Sequence, residues 1–320
     1  MTTRRRLIGA TPALLVPGFA AAQGTWPERP VRFVVAFAPG GFADLIGRML
    51  AEHLGEAWRQ TVVVENRGGA GGNVAARQMA RVAPDGYTAL VTTGAFAINP
   101  SLSRNPGYKA EDFAVAAVVG GTPNLFVVKA DSPARTMRDL VEIGRRRPIN
   151  YGTAGVGVAA HLSAELLFKR AGGVDAQHIP FTGAGPAMLA LLAGTVDMVA
   201  TSLPSAVPQV QGGQARGLAV TSAVRNSTMP EVPTVAEAGF EPLVDVAWVA
   251  VLYPATVPQA VLTKVNADIT RVMALPAFQR RLAAAGFDPI GGTVPQVTTY
   301  VADEVRNWRE IVRTIAIQID

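Results

Sequence analysis

The chain repeats one unit: a short apolar run rich in β-branched residues, a glycine turn, and a stretch with helical periodicity. In the first copy, residues 31–37 (VRFVVAF) are broken by Pro39-Gly40-Gly41. Residues 43–54 follow, with apolar side chains at Leu45, Ile46, Met49, Leu50 and Leu54. An apolar run of that length suits one buried strand, and the next segment suits a helix packed on it. Residues 61–64, the glycine run 68–72 and a helix over 74–82 repeat the unit, and a strand over 87–92 completes a β-α-β-α-β opening. Further strands are predicted at 125–128, 149–151, 178–181, 196–200, 217–221 and 247–252. Helices are predicted at 137–145, 159–171, 187–193, 258–273, 276–284 and 295–313. This alternation predicts mostly parallel sheet covered by helices, with too many units for one five-stranded sheet. Two α/β lobes are the economical solution, with boundaries near 120–123 and 243–246. No long linker marks either place, so short crossing segments form a two-segment hinge suited to closing on a ligand.

Composition narrows the chemistry. Of 320 residues, 49% are hydrophobic and 17% charged, which excludes a disordered chain. There is no cysteine, so disulfide scaffolds, thiol nucleophiles and cysteine-ligated metals are excluded. With His53, His161 and His178 as the only histidines, a histidine-rich metal site is excluded as well. No metal or cofactor is expected.

The N-terminus reads as an export signal. Arg4-Arg5-Arg6 precede a mostly apolar run over 7–19, and Ala20-Ala21-Ala22 supply small residues for cleavage before Gln23. The run is too short to span a membrane. Removing residues 1–22 takes away three arginines and lowers the net charge from +5 to +2. A nearly neutral mature chain gives no support for nucleic-acid binding. An exported chain without cysteine suits a bacterial periplasm.

Three glycine turns, at 39–43, 152–158 and 182–186, each lead from a strand into a helix. They expose backbone N–H groups at the positive end of a helix dipole. In α/β sheets such turns gather at the carboxyl ends of strands, where ligands collect. None of the three contains Lys or Arg, so they suit a small anion held by dipoles and water. Nucleotide motifs fail in detail: no G-x-x-x-x-G-K-[ST] occurs, and the first strand ends in Pro39-Gly40-Gly41-Phe42 rather than G-x-G-x-x-G. The 68–72 run reads as a structural turn. Enzyme motifs are missing too, with neither G-x-S-x-G nor H-E-x-x-H present. His161 reads as a helix histidine satisfied by backbone. Asp44 either caps its own helix or meets a ligand amine. Phe96 and Phe181, beside turns, are candidates for an apolar ligand wall, and Thr201 and Ser202 for hydroxyl donors.

Ordered segments along the whole mature chain resemble the substrate-binding proteins of tripartite tricarboxylate transporters, the Bug family. They include Phe37-Ala38-Pro39-Gly40-Gly41 with Asp44, Val62-Val63-Val64-Glu65-Asn66-Arg67, and Ala83-Pro84-Asp85-Gly86-Tyr87. Further on come Ile98-Asn99-Pro100, Thr153-Ala154-Gly155-Val156-Gly157 with His161-Leu162, Pro204-Ser205-Ala206, and residues 232–239 (VPTVAEAG). The resemblance implies an α/β, periplasmic binding protein type II-like fold. Lobe 1 would comprise 26–122 plus 246–320 and lobe 2 would comprise 123–245, with the ligand cleft between them. It implies a monomer that captures a small organic carboxylate and delivers it to a membrane permease, without catalysis. A sensor that reports ligand to a membrane receptor is the alternative. Carried over by position, the first grip falls on Gly40, Gly41, Phe42, Ala43 and Asp44. The second falls on Thr153, Gly157 and Val158, with Ala95, Phe96, Phe181, Thr182 and Thr201 completing the cleft. The family usually carries a hydroxyl residue where Val158 stands, often a polar one at Ala159, and often an Asp at Thr201. The expected ligand therefore has a carboxylate, a comparatively apolar remainder and no amine.

Overall fold

The computed structural model describes residues 26–315, with side chains to residue 313. Residues 1–22, expected as an export signal, lie outside the described residues. The chain begins with β1 (Val31–Val35), α1 (Phe42–Trp58), β2 (Val62–Asn66), α2 (Asn73–Met79) and β3 (Thr88–Thr93). Next come α3 (Ala95–Leu102) and β4 (Phe113–Thr122). It then crosses at Pro123 into a second sheet: β5 (Asn124–Lys129), α4 (Met137–Arg146), β6 (Ile149–Thr153), α5 (Ala159–Ala171), β7 (Ala176–Pro180), α6 (Ala184–Leu192), β8 (Met198–Ser202), α7 (Val207–Gln211) and β9 (Ala215–Val220). The return brings β10 (Ala247–Pro254), α8 (Gln259–Met273), α9 (Pro276–Ala284), β11 (Asp288–Pro289) and α10 (Val294–Ile315) back onto the first sheet. The strand orders are β11-β4-β10-β3-β1-β2 and β7-β6-β8-β5-β9.

The sheets are mixed, which corrects the mostly parallel expectation. β1 runs parallel to β2 and β3, and β6 runs parallel to β7 and β8. The crossovers supply the reversed strands: β10, on re-entering, lies antiparallel to β3 and β4, and β5, on entering, lies antiparallel to β8 and β9. β10 is buried along its whole length, as its unbroken run AWVAVLYP requires of a strand paired on both sides.

Four elements escape the sequence reading, the short α7 and β11 and the longer β4 and α3. β4 (FAVAAVVGGT) ends in Gly120-Gly121, which read as a boundary but continues the strand. A Cβ on Gly120 would stand 2.8 Å from the Asp288 carbonyl oxygen of β11, so the glycine admits the neighbouring strand. α3 contains Pro100, a residue that normally argues against helix. The carbonyl four residues earlier, on Phe96, loses its helical donor and instead accepts the Tyr108 hydroxyl at 3.1 Å. The helix is kept because that acceptor has another partner. α6 also starts three residues before the predicted 187, inside the glycine turn itself.

Side-chain anchors fix the first site helix. Ile46, Met49, Leu50 and Leu54 of α1 are buried against the first sheet. At its far end the Trp58 indole donates to Asp268 of α8 at 2.6 Å. The start of α1 is thereby held at the carboxyl end of β1, where the chain turns toward the second sheet.

Candidate functional site

Four helices begin at one cleft: α1, α3, α5 and α6. Their N-cap residues are Gly41, Gly94, Val158 and Gly183, and none supplies a side-chain cap. α4, remote from the cleft, has a full capping box in which the Thr136 hydroxyl accepts from the Asp139 N–H and Asp139 accepts from Thr136 in return. The first N–H groups of a helix have no intrahelical acceptor. At α1 these belong to Phe42 and Ala43, and at α5 to Ala159 and Ala160, all of which line the cleft. The Ala95 N–H of α3 is already taken by the Thr93 hydroxyl at 3.3 Å. Donors at the positive ends of α1 and α5 thus face one space that no charged side chain lines.

The rest of the wall is apolar or spent. Phe37, Ala154, Ala184, Ala200 and Ala247 contribute carbon, while Thr93, Asn124, Thr201 and Ser202 contribute polar atoms from strand ends. The Ser202 hydroxyl pairs with that of Ser205 at 3.0 Å, and the Asn124 amide donates to Asp245. The Thr201 hydroxyl is different: it is buried and has no hydrogen-bond partner among the described residues.

The loops that lead into α1 and α5 are both braced from behind. Asp44 accepts the Gly40 N–H at 3.1 Å, Arg48 at 2.9 Å and the Asn66 amide at 2.9 Å, and Asn66 also donates to the Phe37 carbonyl at 3.0 Å. Burial pushes the Asp44 carboxyl up, but those hydrogen bonds outweigh it and hold the group below the usual carboxylate range. The second loop is tied to a buried histidine pair. His161 and His178 stack with ring centroids 4.0 Å apart. The Gly157 N–H donates to His161 Nδ1 at 3.3 Å, and His178 Nε2 lies 2.7 Å from the Thr153 hydroxyl, which also accepts from the Gly155 N–H at 3.2 Å. Burial pushes His161 down to about 4 and His178 to about 3, so both rings are neutral near pH 7 and Nδ1 is free to accept.

Of the residues singled out in the sequence, Gly41, Phe42, Ala43, Ala95, Val158, Ala159, Thr201 and Ser202 line the cleft together. The others stand behind it or beside it. Gly40 and Asp44 are bonded to each other, and Thr153 and Gly157 are held by the histidine pair. Phe96, expected as a ligand wall, is core: it stacks on Tyr108 and meets Phe113 edge-on, both at 5.2 Å. Phe181 packs its ring against Gly152, and the Thr182 carbonyl accepts the Ala38 N–H at 3.1 Å, so neither lines the cleft. The sequence reading missed Phe37, Thr93, Gly94, Asn124, Ala160, Ala200 and Ala247 as wall. Strand ends beside the crossovers point to Asn124 and Ala247, whereas a wall alanine carries no signal of its own.

Comparison with known proteins agrees with this architecture. The sequence pattern of the tripartite tricarboxylate transporter family receptor matches residues 46–317. BugT of Bordetella pertussis is 32% identical over 321 residues, covering 98% of this chain and 97% of its own. The solved structure of the periplasmic binding protein BugD has a TM-score of 0.88 at 33% identity, covering 92% of this chain and 99% of that one. The R. palustris protein Rpa4515, solved with adipate, has a TM-score of 0.87 at 33% identity with the same coverage. With a two-lobed binding fold, a cleft of bare helix N-termini and a family match over most of its length, the chain belongs to the tripartite tricarboxylate transporter family of receptors, solute-binding proteins rather than enzymes.

Proposed function

We propose that this receptor captures a small organic carboxylate with a largely apolar remainder and delivers it to the membrane permease of a tripartite transporter. The observation that carries the reading is the meeting of uncapped α1 and α5 termini on a cleft without cations. A carboxylate there takes the Phe42, Ala43, Ala159 and Ala160 N–H groups, directly or through bridging water. No Asp or Glu lines the cleft, so a ligand ammonium would be buried unpaired, and amino acids are disfavoured. Adipate bound to Rpa4515, an acid with an apolar middle, is consistent with this chemistry.

The lobes in this reading are 26–122 plus 246–320 and 123–245, and the ligand lies between them. Export to the periplasm with cleavage between Ala22 and Gln23 follows from the basic, apolar and small-residue succession of the N-terminus. The test is a thermal-shift panel of mono-, di- and tricarboxylic, aromatic and amino acids on purified protein. A ligand that binds only the folded state raises the melting temperature. Shifts confined to carboxylates without an amine are expected. Tight aspartate or glutamate binding with no response to apolar carboxylates would overturn the reading.

A further inference from the structure

Above the cleft the two halves of the molecule meet backbone to backbone. Residues 38–40 and 68–71 come from the side of the first sheet, and residues 155–157 and 182–185 from the side of the second. The Ala38 N–H donates to the Thr182 carbonyl across this seam at 3.1 Å. A Cβ on Gly71 would stand 1.9 Å from the Val156 oxygen, one on Gly68 2.4 Å from the Thr182 oxygen, and one on Gly185 2.4 Å from the Pro39 oxygen. The atoms approached are backbone, which cannot swing aside as a side-chain end can.

Local conformation does not explain all of these glycines. Gly71 has a φ of 61°, which by itself favours glycine. Gly185 sits in the first turn of α6, outside the left-handed region, where helix propensity favours alanine. Gly68 also lies outside the left-handed region. At Gly185 the opposing lobe alone excludes a side chain; at Gly68 the Thr182 oxygen of the opposing lobe excludes it, with the Ala38 nitrogen of its own lobe 3.0 Å from the added Cβ. Neither residue lines the cleft.

We infer that Gly185 and Gly68 are closure-permitting residues: they let the two lobes dock over the ligand without touching it, and a single methyl group at either acts as a wedge. The inference rests on the carboxylate-capture reading, because closure sets affinity only where a ligand is enclosed. A wedge that depopulates the closed state weakens apparent affinity in proportion to the closed fraction lost.

The test compares Gly185→Ala and Gly68→Ala, wedges from opposite lobes, with the parent protein, using whichever acid of the panel gives the largest thermal shift. Each variant is expected to unfold cooperatively like the parent, to bind at least about tenfold more weakly, and to lose ligand faster. Because the chain has no cysteine, spin labels at E56C and L189C, exposed positions on either side of the cleft, report the lobe separation. The ligand-saturated parent is expected to show a short-distance population that both wedges remove. Parent-like affinity and distances in both variants would overturn the inference. Should the parent bind no acid at all, the capture reading fails instead. The ligand-free label distances then decide: a longer mean distance in the wedge variants supports the seam, and identical distances overturn it. If one variant does not fold, the other, from the opposite lobe, decides.

Discussion

Thr201 lines the cleft, and its buried hydroxyl meets no partner among the described residues. A buried hydroxyl left without a partner costs about 1–3 kcal/mol. Thr201→Val keeps the shape and deletes the hydroxyl. The expected outcome is opposite in sign for two measurements: thermal stability without ligand rises by about 1 kcal/mol, while affinity in calorimetry falls by about tenfold. Unchanged affinity would show that the ligand leaves this hydroxyl alone. Thr201 was legible because it ends a strand that a glycine-turn helix precedes. Ala160 and Ala200 were not legible as wall, since they shape the cleft by having almost no side chain. Phe96 misled for the converse reason. A large ring beside a turn suggests a ligand wall, but the Tyr108 hydroxyl bonded to its carbonyl folds that segment so that the ring enters the core.

At the scale of elements, the bare start of α5 joins fold to function. Val158 occupies the N-cap with extended backbone, φ −78° and ψ 152°, a conformation that an Asp or Asn cap adopts without strain. Val158→Asp would place a carboxylate on the Ala160 N–H. That satisfies a helix donor worth about 1 kcal/mol and sets a negative charge where the ligand's own belongs. Stability without ligand is expected to stay within about 1 kcal/mol of the parent, while affinity for a carboxylate falls about a hundredfold. Val158→Asn caps without the charge and is expected to fall less, which separates competition for the donor from repulsion. Parent-like binding by the Asp variant would remove α5 from the anion site. Units of strand, glycine turn and helix were legible because each leaves a local pattern. β4 and α3 were not, because Gly120-Gly121 and Pro100 break that pattern and are tolerated through partners distant in sequence, β11 and Tyr108. The reversed strands were illegible for a similar reason: direction in the sheet is set by the crossovers, not by the strand's own residues.

Across the whole molecule, the two crossovers are tied together by one carboxylate. Asp245, on the return segment, accepts from the Asn124 amide, the Thr221 hydroxyl at 2.8 Å and the Ser163 hydroxyl of α5. Asn124 follows the outward crossing and also lines the cleft, so the ligand wall and the hinge share a side chain. Burial pushes the Asp245 carboxyl up to about 6. The Thr221 and Asn124 bonds pull against that shift, and the Glu304 carboxylate of α10 adds to it. A carboxyl whose pKa is raised by folding binds its proton more tightly in the folded state. Its contribution is therefore most favourable at acid pH and is lost as pH rises from the ordinary aspartate value through about 6. The loss is on the order of 2–3 kcal/mol. Asp44, Glu52, Asp139 and Glu237, all held below the usual range, act in the opposite direction, gaining stability as pH rises up to the ordinary carboxylate value, so at its acid end the parent curve alone cannot isolate the hinge. Asp245→Asn keeps an acceptor for Asn124 and Thr221 and cannot ionise. Urea unfolding of both proteins from pH 4 to 7.5 is expected to give a difference curve that moves in favour of the variant as pH climbs and levels off above about 7. A flat difference curve would mean that the carboxylate is as well solvated in the hinge as in the unfolded chain, and that its hydrogen bonds with Asn124, Thr221 and Ser163 cost the fold no charge burial.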